Sequence, residues 1–312
     1  MNASPSASRH TIRKGLVITT LGGLLFTIDL PLLRLAKADM WTLVFARGIF
    51  LFIAISAVWY AIRRFNGTKT PYIAGLAGAA VVLTNTIAPI CYIGAIVETS
   101  AANVVFIMAL IPLITAGLSH IFIGEKVHKL TWAATVLSFV GVGIIVWDGI
   151  GRGHLLGDVL ALVSAACTAA AFTIMRASRK SVVTSLALGS LASALIALVS
   201  FQVSPSAILA PAAYGVPAWI WMALNGLIAI PLATTLIANG PRFLPSADVS
   251  MFFLLETVLT PVWIWFLFGE VPTLSVLIGG VIVILTLVAH SWWRLNLALH
   301  GGGRAEMAEN PT

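Results

Sequence analysis

Three ionisable residues within strongly apolar stretches could hold a small charged molecule inside a membrane. Glu256 lies in the middle of an apolar run, where an ionised carboxylate in lipid would cost about 2.5–3.5 kcal/mol or more. We therefore expect Glu256 to face a cavity or a partner, or to be protonated. Two interpretations stay open: Glu256 contacts a substrate amine or carries a coupling proton, or it makes a structural hydrogen bond between helices.

Asp29 and Arg47 lie at equal distances on either side of a turn near Ala38. An antiparallel pair of helices would bring the two side chains to the same depth in the membrane. We predict a structural ion pair between them, since isolated charges inside a membrane usually pair with one another. The alternative is that Arg47 binds the carboxylate of a substrate.

Amide, phenol and aromatic side chains complete the predicted substrate-binding set, together with Arg47 and Glu256. They are Asn85, Tyr92, Asn103, Phe106, Asn225, Asn239 and Trp263. An amide donates and accepts hydrogen bonds at once, which suits a zwitterion with its amine and carboxylate. Buried asparagines also simply join membrane helices, and aromatic rings also face lipid, so these alternatives stay open.

Four prolines inside apolar runs are predicted to shape the cavity or to act as hinges. They are Pro89, Pro112, Pro231 and Pro261. A proline removes a backbone hydrogen bond and bends the helix that contains it. Bent or broken helices around a site in the middle of the bilayer are typical of transporters, although prolines are common in membrane helices generally.

The elements that carry these residues are predicted to be membrane-spanning helices. The chain has 312 residues, of which 59% are hydrophobic and 9% charged, whereas a soluble domain has about 25% charged residues. Repeated apolar runs of about 20 residues indicate transmembrane helices. We therefore predict an all-α polytopic membrane protein with ten spans. The expected spans are 14–35, 41–62, 72–97, 101–123, 130–147, 155–175, 182–203, 216–240, 247–268 and 274–293.

The basic residues predict the orientation of these spans. Nearly all of them fall on the side that holds the N-terminus, and the other side has only Arg34, Lys37 and Arg152. Cytoplasmic loops carry the excess of Lys and Arg, so both termini are expected in the cytoplasm, with the protein in the inner membrane. The first run is expected to be a retained helix rather than a cleaved signal peptide. The terminal segments 1–13 and 296–312 are expected to be disordered.

The motifs of several other protein classes are missing from the sequence. We find no Ser-His-Asp set, no phosphate-binding loop and no metal-ligand spacing. The net charge of +7 resides in short loops, which indicates membrane topology rather than binding of nucleic acid. We expect a monomer in the lipid bilayer that is not an enzyme and has neither metal nor cofactor.

Two related apolar runs divide the chain into halves. Residues 100–125 and 245–270 align at one constant offset and both end in Gly-Glu, at Gly124-Glu125 and Gly269-Glu270. We predict a first five-helix repeat over 14–148, a connector over 149–154 and a second repeat over 155–295. Since five is odd, the second half enters the membrane from the opposite side, and the repeat is inverted.

This layout resembles the EamA family of the drug/metabolite transporter superfamily, and its amino acid exporters of the YddG type most of all. The resemblance covers nearly the whole chain, and its motifs are Ser100-Ala101-Ala102, Pro112, Gly124-Glu125, Ser246-Ala247, Leu255-Glu256, Pro261 and Gly269-Glu270. Where the family has a Glu-Pro pair, this chain has Glu256-Thr257, which leaves the position of the helix kink open. The resemblance implies a ten-helix bundle with a central cavity and alternating access.

The resulting hypothesis is a secondary transporter that exports amino acids with broad specificity, aromatic ones included, and related small metabolites. The first alternative is a nucleobase or drug exporter of the same superfamily. An alternative from another class is a membrane-embedded lipid transferase, for which Glu125 with His128 is the nearest approach to an acid/base set.

Overall fold

The computed structural model describes residues 5–66, 72–73, 75–99, 101–124, 128–146, 155–178, 182–200, 202–269 and 271–309. The connector expected at 149–154, and also Ser100, Glu125 and Glu270, lie outside the described residues. Gly124 and Gly269 end their helices with φ angles of 62° and 72°, a left-handed conformation that glycine adopts without strain.

Helices make up nearly all of the described chain, as predicted. Their bounds are α1 Pro5–Phe26, α2 Asp29–Ala36, α3 Met40–Asn66, α4 Gly75–Glu98, α5 Ala101–Met108, α6 Ile111–Ile123, α7 Lys129–Val146, α8 Leu155–Ser178, α9 Val183–Val199, α10 Pro205–Leu209, α11 Ala218–Ala223, α12 Ile230–Asn239, α13 Ser246–Met251, α14 Leu254–Phe268 and α15 Leu274–Glu309. Short 3₁₀ turns cover Ala213–Gly215 and Gly240–Arg242, and a π-helical segment covers Leu224–Ala229.

These helices form ten consecutive spans within the described residues. Eight are long and apolar enough to cross a membrane, and the shorter apolar helices Lys129–Ile145 and Val183–Val199 occupy the fifth and seventh positions. The prediction of an all-α polytopic membrane protein is therefore confirmed. We call the end of the bundle where the first span begins the N-terminal face, and the other end the opposite face.

The helix ends differ from the expectation at both termini. The first helix begins at Pro5 and the last one continues to Glu309, whereas the sequence predicted disorder over 1–13 and 296–312. The residues from Arg304 to Glu309 include Ala, Met and Glu, which favour helix. An existing membrane helix can extend through such residues without a new and unfavourable nucleation step.

The two halves pack against each other in a pattern that is unchanged when they are exchanged. The third span packs along the sixth, and the first span packs along the eighth, which is the same pairing seen from the other half. The second span packs on the seventh, and the fifth on the tenth, so each of these pairs maps onto itself. This pairing is the one that two inverted five-helix repeats produce.

Three spans are interrupted within their length. The first breaks at Thr27–Ile28, the fourth at Ala109–Leu110 and the ninth at Phe252–Phe253, where i→i+3 hydrogen bonds replace the regular helical ones. Interruptions of this kind leave backbone groups available in the centre of a membrane protein, which transporters use to build their sites.

The four predicted hinge prolines have different positions in the helices. Pro112 directly follows the break in the fourth span, and Pro231 follows the π-helical segment in the eighth. Pro89 and Pro261 instead lie inside continuous helices. The ninth span therefore breaks several residues before Pro261, so proline is not the cause of that break. Proline removes one N–H bond without necessarily ending a membrane helix, because neighbouring groups can satisfy the freed backbone.

Close contacts between the second and seventh spans fix the position of Arg47. A Cβ atom added to Gly48 would lie 2.3 Å from the carbonyl oxygen of Ser190 on the seventh span, so only glycine fits there. Membrane helices associate through such small residues, because lipid tails provide little apolar driving force. The neighbouring Arg47 is thereby held at a fixed place inside the bundle.

Candidate functional site

A cavity of about 960 Å³, including its open mouth, lies among the eight inner spans. The fifth and tenth spans do not line it. Its walls consist of Phe26, Asp29, Val44, Arg47, Gly48, Leu51, Thr84, Asn85, Ala88, Pro89, Tyr92, Met108, Ser164, Cys167, Thr168, Ala171, Phe172, Met175, Leu186, Ser190, Ser193, Ile230, Thr234, Ile237, Ala238, Phe253 and Glu256.

An ion pair forms one part of the cavity wall. Arg47 Nη1 lies 2.9 Å from Asp29 Oδ2, with the two side chains 11% and 1% exposed. Asn225 Nδ2 donates to Asp29 Oδ1 at 2.7 Å and to the Asp29 carbonyl oxygen at 3.3 Å. Asp29 therefore has two partners, and its charge is balanced by the guanidinium.

Two buried polar atoms beside Asp29 have no hydrogen-bond partner in the described part of the chain. They are Arg47 Nη1, whose close contact with Asp29 lacks hydrogen-bond geometry, and Asn225 Oδ1. Buried polar groups without a partner are rare in native proteins. Arg47 lines the cavity, and its guanidinium has five N–H donors, so groups beyond the contact with Asp29 can donate to a carboxylate that enters.

A second polar contact joins the third and ninth spans. The Tyr92 hydroxyl donates to Glu256 Oε1 at 2.8 Å, and both side chains line the cavity. Only one Glu256 oxygen is used by this bond, so the other can accept from a bound amine. A hydrogen bond to a carboxylate is stronger than one between neutral groups.

Both acids lie at the beginning of a helix segment that starts in mid-span. Asp29 is the first residue of α2, and Glu256 lies in the first turn of α14. The positive end of the helix dipole stabilises negative charge at these positions. Among the lining residues there are two carboxylates and one guanidinium. The ionised cavity would therefore have an excess of one negative charge.

The apolar part of the wall contains three packed aromatic rings. The centroid of the Phe253 ring lies 4.8 Å from that of Phe26 and 5.4 Å from that of Phe172, and Met108 and Met175 lie nearby in the same wall. Phe26 and Phe172 were not predicted as site residues. They come from different spans, and nothing in their local sequence distinguishes them from residues that face lipid.

Four of the predicted binding residues line the cavity: Arg47, Asn85, Tyr92 and Glu256. The amide of Asn85 is already engaged, because it donates to the Leu186 carbonyl at 2.8 Å and to Ser190 Oγ at 3.0 Å. It therefore joins the third and seventh spans while presenting part of its surface to the cavity. Asn225, behind Asp29, supports the site without lining it.

Asn103 and Phe106 do not line the cavity. Asn103 Nδ2 donates to Asp158 Oδ1 at 3.0 Å, which joins the fourth and sixth spans. The Phe106 ring lies 4.7 Å from that of Phe139 on the fifth span. We therefore remove both from the candidate site, since each is used in packing between helices.

Asn239 and Trp263 also lie outside the cavity. Asn239 donates to the carbonyl of Thr235, one turn earlier in its own helix. The Trp263 indole donates to Thr27 Oγ1 at 2.9 Å, where the first span is broken. The indole bonds to the Thr27 hydroxyl, which lipid cannot satisfy, so Trp263 supports the break instead of forming a wall for substrate.

The described residues contain no group of three or more His, Cys, Asp or Glu side chains that could hold a metal ion. The paired residues proposed for a lipid transferase are not both described, because Glu125 lies outside the described residues. His128 is exposed, and its ring lies 4.7 Å from that of Trp293.

Comparison with known proteins identifies two matching regions in this chain. The profile of the EamA-like transporter family matches residues 13–147 and 155–292. A protein described as an uncharacterized transporter, from Synechocystis sp. (strain ATCC 27184 / PCC 6803 / Kazusa), is 25% identical over 232 residues, which is 65% of this chain. The chain spans 61% of the length of that relative.

A crystal structure in the collection of solved proteins has the same fold. It superposes with a TM-score of 0.69 over 91% of this chain and 98% of the other, at 16% sequence identity. At this identity the similarity concerns the fold alone.

Proposed function

The chain belongs to the EamA-like transporter family, and on that basis we propose that it exports amino acids across the inner membrane. The proposal includes broad specificity, with aromatic amino acids and related small metabolites among the substrates. It also includes cytoplasmic termini, which rest on the distribution of basic residues in the loops. The protein is a transporter by family, and the substrate is the proposed part.

The observation that carries the proposal is the presence of opposite charges in one cavity. Arg47 lines the cavity with its guanidinium paired to Asp29, while Glu256 has one oxygen bonded to Tyr92. An amino acid has a carboxylate and an ammonium group that would pair with these two side chains. Charge-assisted hydrogen bonds of this kind are the strongest that a protein site can offer to a small polar ligand.

The aromatic rings support a broad choice of side chains. Phe26, Phe172 and Phe253 form a packed apolar wall near the charged groups. An apolar wall discriminates weakly, since one methylene changes affinity by about 1–3 kcal/mol. Aromatic substrates gain most from this wall, because ring pairs add about 0.5–1.5 kcal/mol beyond burial.

The interrupted spans support an alternating-access mechanism. The breaks at Thr27–Ile28 and Phe252–Phe253 directly precede α2 and α14, the helices that carry Asp29 and Glu256. Movement of a half-helix at such a break would therefore move a charged group of the site. In transporters built from inverted repeats, one part of the bundle moves against the other around a fixed central site.

Counterflow in proteoliposomes tests the proposal. Vesicles loaded with unlabelled phenylalanine should accumulate labelled phenylalanine, and Glu256→Gln should reduce the initial rate at least about tenfold. Arg242→Ala is the matched control, because its side chain bonds to Asn239 outside the cavity. A panel of amino acids, nucleobases and cationic drugs should compete in that order. Competition by nucleobases or drugs alone would refute the amino acid proposal.

A further inference from the structure

Asn225 connects the charged pair of the cavity to the eighth span. Its side chain is fully buried and does not line the cavity. Its amide nitrogen, Nδ2, donates to Asp29 Oδ1 at 2.7 Å and to the Asp29 carbonyl oxygen at 3.3 Å. Both of these oxygens accept hydrogen bonds, so the amide must turn its NH₂ group toward Asp29. Asn225 Oδ1 is then left without a partner in the described part of the chain, an unfavourable arrangement for a buried amide.

The π-helical segment Leu224–Ala229 sets the position of this amide. The segment packs on both α2 and α3, the helices that carry Asp29 and Arg47. A Cβ atom added to Gly226 would lie 2.6 Å from Phe50 Cβ and 3.4 Å from the Arg47 carbonyl oxygen, so glycine allows the close approach. Single π-helical turns are frequent at functional sites. This one places a neutral hydrogen-bond donor directly behind the ion pair.

The two oxygens of the Asp29 carboxylate are divided between two partners. Oδ1 accepts from Asn225, and Oδ2 lies 2.9 Å from Arg47 Nη1. A guanidinium binds a carboxylate most strongly through two parallel hydrogen bonds, one to each oxygen. The amide of Asn225 competes with this two-point pairing, because it occupies one of the oxygens. The guanidinium therefore keeps N–H groups that a second carboxylate, that of a substrate, can use.

We propose that Asn225 is a positioning residue that keeps Arg47 available to the substrate carboxylate, so that the cavity selects amino acids over amines without a carboxylate. This inference rests on the proposed function. Without the amide, the guanidinium would turn to both oxygens of Asp29, and the two charges would cancel within the wall. Glu256 would then remain to bind an ammonium group. An amide suits this role because it donates to Asp29 without adding a charge.

Isothermal titration calorimetry of the full chain in nanodiscs tests the proposal with three ligands. They are phenylalanine, N-acetylphenylalanine, which keeps only the carboxylate, and phenylalanine methyl ester, which keeps only the ammonium group. Asn225→Ala should weaken binding of the first two at least about fivefold, because both use Arg47. The methyl ester should stay within about twofold of its wild-type affinity, because it binds through Glu256. Asn225→Leu fills the volume of the amide without a donor and should give the same pattern.

Asn103→Ala is the matched control and should leave all three affinities within about twofold. Asn103 is also buried and donates to a carboxylate oxygen, Asp158 Oδ1, at 3.0 Å between two spans, but it lies outside the cavity. An equal loss for all three ligands in Asn225→Leu, as a purely structural role would give, would overturn the proposal and leave the proposed function standing. Unchanged binding of phenylalanine would have the same consequence. A wild-type protein that binds none of the three ligands would instead refute the proposed function, and this inference with it.

Discussion

Removing one member of the Asp29–Arg47 pair is expected to destabilise the protein far more than removing both. The two charged atoms lie 2.9 Å apart, and Asp29 is almost completely buried. Breaking a buried pair by deleting one partner costs about 3–5 kcal/mol, because the remaining charge is left uncompensated. Asp29→Ala also leaves Asn225 Nδ2 without its main acceptor, which adds about 1–3 kcal/mol.

The double variant separates this penalty from the loss of side-chain packing. In Asp29→Ala with Arg47→Ala no buried charge remains from the pair, so the loss should be smaller than the loss in Asp29→Ala alone. The sum of the two single losses in unfolding free energy should exceed the loss in the double variant by at least about 3 kcal/mol, as expected for groups in direct contact within one network. Such a coupling is far above the value of exposed ion pairs, which is about 0.2–1 kcal/mol.

Reversible unfolding in mixed micelles, with an increasing fraction of denaturing detergent, would measure these free energies for the four proteins of the cycle. Far-UV circular dichroism of each variant before unfolding shows whether its helix content is unchanged. Additive losses, or single losses below about 1 kcal/mol, would refute the reasoning, because they would mean that the pair is screened as if it were exposed.

Three further changes have expected outcomes. Gly48→Ala should strongly lower the midpoint of unfolding, because its Cβ would lie 2.3 Å from a backbone oxygen. Gly143→Ala is the control and should be tolerated, because the nearest atom to its Cβ would lie 3.6 Å away. Equal effects of the two variants in the same micelle assay would contradict this prediction. Trp263→Phe should cost about 1 kcal/mol through loss of its bond to Thr27, with no change in counterflow affinity, and a large affinity change would restore Trp263 to the site. Phe172→Ala should weaken competition by phenylalanine about five- to tenfold and leave competition by alanine within about twofold, and a uniform loss would argue against the aromatic wall.

The number and type of the helices could be predicted from the sequence because the bilayer imposes both. Backbone groups that lipid shields from water must form hydrogen bonds within a helix, so a long apolar run such as 247–268 is expected to be helical. The breaks were harder to place. Pro261 suggested a kink in the ninth span, yet the break lies at Phe252–Phe253, where no residue type signals it.

Whether a predicted site residue lines the cavity could be foreseen for the charged residues but not for the asparagines, which have many alternative hydrogen-bond partners. Glu256 and Arg47 are charged, so burial without a cavity or a partner was excluded from the beginning. The asparagines are neutral, and any nearby carbonyl, hydroxyl or carboxylate can satisfy them, as Asp158 does for Asn103. The direction in which each asparagine side chain points from its helix depends on how distant spans pack together. That packing cannot be read from a single sequence.

The central claim is that the cavity binds both charges of an amino acid. The most direct test compares the binding of phenylalanine with that of analogues in which one charge is blocked. Scintillation proximity with the purified protein would measure competition by phenylalanine, N-acetylphenylalanine and phenylalanine methyl ester. We predict that each blocked analogue binds at least about tenfold more weakly than phenylalanine, since each loses one charge-assisted contact, with Glu256 or with Arg47. Equal affinity of all three compounds would contradict the assignment of these two side chains to the substrate.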